Sequence, residues 1–344
     1  MITHFGHFIA AIAVLFTSAA AAQTPAAAQP AEQQRTPPLA VEAFAQLPFI
    51  SSAQLSPDGT RVAARVASNG NERIAVWALA DPRDRPPRLI PAAGVESFVW
   101  AGDQRLLVNV ATVVVINFGR GLLFPVPVRR VLVHDLQSNK TSSVTGSQGL
   151  ADEVIFVDPF GRYALVSMQS EVDRPPSVHR VDLATGASVE IQPGRSGVWD
   201  WFADENGVVR VGVDYGERRT RIYYRATPDA ELRLVESRRN LADDSVVETV
   251  RFVSNTDRGF IVTNAATGRF GLYEYDFAAD ARGAALFEHA EVDVGSAIFA
   301  PDGSPRGVVY EEDRPRVRWF DAAMGRLQQR VDTAFAGKTN TILN

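Results

Sequence analysis

One tight-turn signature recurs along this chain and constrains its fold more than any other feature. Ser56-Pro57-Asp58-Gly59, Asp158-Pro159-Phe160-Gly161 and Ala300-Pro301-Asp302-Gly303 each stand between two short apolar runs. Looser versions span Ala101 to Gln104, Ala203 to Gly207 and Ser254 to Gly259. The letters have a physical reason. Proline presets the backbone angle of the second turn position, aspartate bonds back to nearby backbone amides, and glycine accepts a positive φ. The flanking runs alternate with period two: Val62, Ala64 and Val66 fall on one face, Arg61 and Arg65 on the other. The turns recur about every 44 to 57 residues, the spacing of propeller-type repeats.

Each repeat reads as four strands, the third often closing on an aspartate that can cap the next turn (Asp135, Asp182, Asp276, Asp321). Six repeats begin near Ala53, Ser97, Val154, Val198, Thr249 and Ala297. The reading is an all-β chain, a β-propeller of four-stranded blades with six blades visible. A β-helix coil is far shorter than this unit, and a β-sandwich would not repeat the turn so regularly. Asp321 to Phe335 carries Met324, Leu327, Val331 and Phe335 at helical spacing, which predicts a connector helix on a blade. Thr341-Ile342-Leu343 then reads as the first strand of a seventh blade, so the expected ring is an incomplete seven-bladed one. The propeller is expected over 39–344.

Thr112 to Val128 is an apolar, turn-punctuated insertion in the second repeat. It reads either as a long hairpin lying on neighbouring blades or as an exposed apolar patch for a partner.

The start of the chain reads differently. Ile9 to Phe16 is an apolar run too short to span a bilayer. Small residues follow, and Ala20-Ala21-Ala22 fits a signal-peptidase pattern, which places cleavage between Ala22 and Gln23. The n-region has no Lys or Arg, only the amino terminus, His4 and His7. The expectation is a signal peptide over 1–22, an Ala/Pro/Gln-rich linker over 23–38, and export to the bacterial periplasm or beyond. No membrane span is expected once the signal is removed.

The composition excludes several functions. There is no cysteine, so disulfides, cysteine nucleophiles and thiolate metal sites are ruled out. A net charge of −5 gives no basic field for nucleic acid. Phosphate-binding glycine loops are absent, and no cofactor or metal site is expected. Asp243-Asp244 and Asp200/Asp204 could bind Ca²⁺ only weakly, since oxygen-ligand loops of the required density are absent from the sequence. Arg129-Arg130, Arg218-Arg219 and Arg238-Arg239 read as solvated strand ends.

Leu39 to Ala63 resembles the opening of bacterial secreted peptidases of the prolyl oligopeptidase family, and Tyr310 to Asn344 resembles the corresponding later segment. The resemblance implies a propeller that gates a separate α/β-hydrolase domain, which carries the Ser, Asp and His and cleaves short peptides. The nucleophile elbow G-x-S-x-G of that domain does not occur in this sequence. Gly194-Arg195-Ser196-Gly197 comes nearest, with Val198 where the last glycine would stand. His134, His179 and His289 lie in or beside strands without a matching Ser and carboxylate. Glu311-Glu312-Asp313 reads as a solvated turn, although related dipeptidyl peptidases hold a substrate amino terminus on a Glu pair. No catalytic residue is assigned. Two functions follow: the noncatalytic, substrate-gating propeller portion of such a peptidase, or a stand-alone periplasmic propeller binding a protein or peptide. An α/β-hydrolase domain of the full-length protein and a peptide or protein are the expected partners.

Overall fold

A computed structural model describes residues 49–68, 71–80, 86–117, 121, 123–144, 149–216, 219–239 and 246–342. The signal segment, its cleavage point at Ala22 and Gln23, the linker and Asp243-Asp244 lie outside them. Leu47–Asn344 forms one compact unit.

Its strands form six antiparallel sheets, each built from consecutive strands and arranged as the blades of a ring. Blade one holds β1 (Ile50–Leu55), β2 (Arg61–Ser68), β3 (Asn71–Ala78) and β4 (Arg88–Ile90). Blade two holds β5 (Val95–Ala101), β6 (Arg105–Asn117), β7 (Leu123–Asp135) and β8 (Lys140–Ser143). Blade three holds β9 (Glu153–Val157), β10 (Tyr163–Met168), β11 (Ser177–Asp182) and β12 (Ser188–Gln192). Blade four holds β13 (Val198–Ala203), β14 (Val209–Gly216), β15 (Arg219–Tyr224) and β16 (Arg233–Arg239). Blade five holds β17 (Val247–Phe252), β18 (Arg258–Thr263), β19 (Gly271–Asp276) and β20 (Ala281–Phe287). Blade six holds β21 (Val294–Phe299), β22 (Pro305–Glu311) and β23 (Pro315–Trp319), and has three strands among the described residues where four were expected.

The turn chemistry operates as the sequence implies. Asp158 accepts from the Phe160 and Arg162 amides at 3.1 Å, and Asp204 from the Asn206 and Val208 amides at 3.0 Å. Hydrogen bonds hold the Asp58, Asp158 and Asp302 carboxyls below the usual range, from Ser56, Arg162 and Ser304 respectively. The strand-closing aspartates also cap. Asp135 takes the Ser138 amide, Asp182 those of Ala184 and Thr185, and Asp276 that of Ala279. Asp321 is the N-cap of helix α1 (Ala322–Ala334), accepting from Ala323 and Met324.

The core is not one mass. Five apolar clusters each lie between successive blades: Ile74 with Phe98 and Leu106, Val131 with Val166, Leu165 with Trp201, Ile222 with Phe252, and Val262 with Val308. Burying side chains of this size contributes about 1.5–3 kcal/mol each, so the sheets are stable only as neighbours. Tryptophans on two first strands bridge the gaps. Trp100 Nε1 donates to the Gln54 carbonyl at 3.3 Å, and Trp201 Nε1 to the Pro176 carbonyl at 2.8 Å.

The turns also clasp the next blade. The Asp58 amide donates to Asp103 at 2.9 Å, Arg105 reaches the Gly161 carbonyl at 3.3 Å, and the Ser254 amide meets the Asp302 carbonyl at 2.9 Å. Between blades four and five, buried Arg210 bonds to Asp204, Asp257 and the Tyr224 hydroxyl while its guanidinium lies over Phe252.

The Thr112 to Val128 segment is a long hairpin, formed by the outer half of β6 and β7, each 13 residues long and paired throughout, and it exposes Val113, Val115 and Leu123. One expectation is corrected. Thr341 and Ile342 form no strand of a seventh blade, and Leu343 lies outside the described residues. The tail folds back on α1 instead. Gln328 donates to the Asn340 carbonyl at 2.9 Å, and Asn340 to Asp332 at 3.1 Å.

Close approach makes two equivalent turn glycines unequal. A Cβ on Gly303 (φ +82°) would lie 1.8 Å from the Phe252 carbonyl oxygen of blade five, whereas one on Gly59 (φ +68°) would meet nothing. Gly59→Ala should therefore cost only the backbone strain, about 1–2 kcal/mol. Gly303→Ala should cost at least about 3 kcal/mol, because the blades must also part. Urea unfolding of both variants measures the difference.

Candidate functional site at the channel mouth

The first strand of every blade lies innermost. The fourth strands are largely exposed, while β9 lies against β13 and first-strand side chains bond across blades, as Gln54 does to the Phe98 carbonyl at 3.0 Å. Because each complete blade is a four-strand meander, all first strands run in the same sense, and their starting ends gather at one mouth of the central channel.

That mouth is acidic. Glu96 is the second residue of β5, Glu153 the first of β9, Asp200 the third of β13 and Glu248 the second of β17, while Asp293 immediately precedes β21. The carboxylates feel one another. Burial and, second, the charge of Asp200 push Glu153 up, with Arg129 opposing. Burial and Asp293 raise Glu248. Asp200 is raised by burial, against the Tyr215 hydroxyl 2.7 Å away. The Tyr215 oxygen also lies 3.0 Å from the Val247 carbonyl, which ties blade four to blade five, and its phenol is pushed far up by burial and Asp200. Glu153 and Glu248 remain exposed. Arginines reach into the mouth: Arg129 Nε stands 3.2 Å from the Glu96 carboxylate, and Arg65 donates to the Glu96 carbonyl at 3.0 Å.

Such a mouth concentrates positive charge by focusing its field between low-dielectric walls. It has the chemistry to attract and orient an ammonium group. Among the described residues no three His, Asp or Glu side chains gather as a metal site.

The sequence candidates sit elsewhere. Ser196 is exposed in the loop between β12 and β13, with no helix after it, and Arg195 lies over the Tyr223 ring. His179 on β11 comes nearest to a triad: Ser177 Oγ is 2.9 Å and Glu190 Oε2 3.8 Å from its Nε2, and Ser188 Oγ is 3.2 Å from its Nδ1. Serine and carboxylate share one nitrogen, so no relay across the ring exists. His134 is fully buried beside Thr141, and burial lowers its pKa. His289 stacks on Tyr310 and faces Glu312 at 3.2 Å. Glu312 and Asp313 pair with Arg316 across the β22–β23 turn. Asp204 is an internal turn ligand, far in role from Asp200.

The acidic ring was not singled out from the sequence. Its signal was present: carboxylates at 96, 153, 200, 248 and 293 keep nearly one place relative to five successive repeats.

No protein-family model matches the sequence, and no curated protein matches it. Solved structures do match in shape. A prolyl endopeptidase structure aligns at TM-score 0.53 and 12% identity, over 79% of this chain and 41% of that one. An acylaminoacyl peptidase aligns at 0.45 and 15%, over 83% and 47%. The β-propeller domain of the Trilobed protease from Pyrococcus furiosus aligns at 0.47 and 13%, over 80% and 81%. The fold is a β-propeller. The chain spans under half the length of the first two, and at these identities the likeness speaks for the fold alone.

The Asp200 carboxyl has a folded pKa above its unfolded one. It therefore supports the fold below the unfolded value and opposes it once pH rises past the folded value. Asp200→Asn keeps an oxygen for Tyr215 and removes the charge. It should raise the thermal midpoint at pH 7 by about 1–3 °C, and the gain should shrink as pH falls toward 4, measured by circular dichroism.

Proposed function

We propose that this chain is the noncatalytic, substrate-gating propeller portion of a serine peptidase of the prolyl oligopeptidase type, exported to the bacterial periplasm or beyond. The observation that carries the reading is the carboxylate-ringed channel mouth. Glu96, Glu153, Asp200, Glu248 and Asp293 suit a passage that admits short peptides amino terminus first and slows anionic ones. The sequence resemblance of Leu39 to Ala63 and of Tyr310 to Asn344 supports the peptidase assignment, and the propeller fold agrees with it. Acyl transfer would be performed by an α/β-hydrolase domain of the full-length protein, through its own serine, histidine and oxyanion hole. The alternative, a stand-alone periplasmic propeller that binds a protein or peptide, is favoured by the exposed apolar ribbon on blade two.

The purified chain should not turn over an aminoacyl p-nitroanilide. It should bind short peptides with a free amino terminus more tightly than their N-acetylated forms, by calorimetry at low salt. Glu153→Gln combined with Glu248→Gln should remove most of that preference, about tenfold or more. Equal binding of free and acetylated peptides would remove the support for a gating channel.

A further inference from the structure

The junction between blades three and four is packed at its centre and open farther out. Leu165, Val178, Trp201 and Val209 form its buried cluster, with Tyr163 and Tyr223 against it. Along the same face of blade three the cover then stops. Val189 and Ile191 of β12 are exposed, although the register sets Val189 opposite Arg180 on the side turned to blade four. A cleft of about 330 Å³ remains there, walled by Tyr163, Leu165, Arg180 and Ile191 from blade three and by Val209 and Arg225 from blade four. Tyr163 opens β10, Val209 opens β14 and Arg225 follows β15, all at the ends of the blades where the first strands finish. The carboxylate ring stands at the ends where they start.

Two guanidinium groups line this cleft without a carboxylate of their own. Arg180 lies over the Tyr163 ring, 4.0 Å from its centroid, and among the described residues makes no ion pair. Arg225 is half-buried. Its Nε donates to the Val209 carbonyl at 2.6 Å, which leaves both terminal amino groups for another acceptor. Burial lowers its pKa, and Asp229 opposes that only from beyond ion-pair distance. By contrast Arg65, Arg105 and Arg210 each have a carboxylate, in Glu72, Asp135 and Asp204 respectively. A half-buried charge without a counter-charge costs free energy that a bound anion returns.

The surroundings select the anion. Leu165 and Val209 are buried and apolar, and Ile191 continues that surface to the rim, so the ligand needs an apolar body. Two guanidinium groups less the Asp229 carboxylate leave one net positive charge, which suits a monoanion better than a phosphate. A carboxylate also accepts the guanidinium fork through two parallel bonds. The volume lies at the small end of ligand pockets, which suits one branched apolar group.

We propose that the cleft between blades three and four binds a carboxylate carried on a short branched apolar group, with Arg180 and Arg225 on the carboxylate and the hydrocarbon against Leu165, Ile191 and Val209. A leucine-like carboxyl terminus of a peptide and a free branched acid share this chemistry. The site is separate from the channel mouth in place and in sign, since it reads a carboxylate and the mouth suits an ammonium group.

Titration calorimetry on the full chain tests this with probes that carry no amino group and so offer the acidic mouth nothing. The free acid is represented by 4-methylpentanoate, and the peptide terminus by N-acetyl-Ala-Leu. At least one should bind with a Kd of about 1 mM or tighter, and the tighter of the two names the source. The matching carboxamides, acetate and inorganic phosphate should each bind at least about tenfold more weakly. Arg180→Gln changes an exposed side chain, so it should leave the thermal midpoint in place while weakening binding about tenfold. Arg225→Gln should weaken binding at least as much. Asp229→Asn removes the opposing charge and should strengthen binding about twofold or more, which a merely structural role would not do. Failure of both acids to bind at about 10 mM, equal binding of the carboxamides or of phosphate, weaker binding in Asp229→Asn, or unchanged binding in both Arg180→Gln and Arg225→Gln would overturn the proposal.

Discussion

Everything in this molecule rests on blade-to-blade contact. A single antiparallel sheet of three or four short strands has two faces and no interior of its own. Here the interior is supplied five times over, by apolar clusters shared between successive blades. The turn at the end of each first strand completes the junction. It brings backbone to backbone so closely that Gly161 and Gly303 have carbonyl oxygens where a Cβ would be. Arg210 adds an ionic clasp between blades four and five, buried but fully supplied with partners, the condition under which a buried charge is tolerable.

The same geometry creates the channel mouth. Sheets stacked face to face around an axis must bring their first strands together, and any residue kept at the start of that strand becomes one of a ring. Five of the six blades place a carboxylate there. Each alone is an ordinary solvated acid. In the ring, burial raises Glu153 and Glu248, and the charges of Asp200 and Asp293 add to it. The site is thus a property of the ring, since no single blade contains it. Blade two departs in another way: its central strands continue past the blade and carry an apolar face and an open edge out to solvent.

Much of the fold was legible in the residues. The Pro-Asp-Gly turns, the period-two strands, the capping aspartates and the helix after Asp321 all act through neighbours within a few positions, so local chemistry reveals them. The extended β6–β7 ribbon was harder to read, because apolar residues in an insertion look alike whether they face the body or water. Only the register, with Pro125 and Pro127 set against Val115 and Val113, separates the two faces and the two edges. The expected strand at Thr341-Ile342 failed for a similar reason. A strand exists by virtue of a partner, and the tail found α1 instead.

By itself the amino-acid sequence determined the repeat, its four-strand reading, the turn chemistry and the exclusion of thiol chemistry, since each is written in residue types at short range. Which carboxylates share a channel mouth, which histidines are buried or paired, and which strand edge is free were decided only by the tertiary structure. The ring carboxylates stand 45 or more positions apart in the sequence, and they come together only through the packing of one blade on the next.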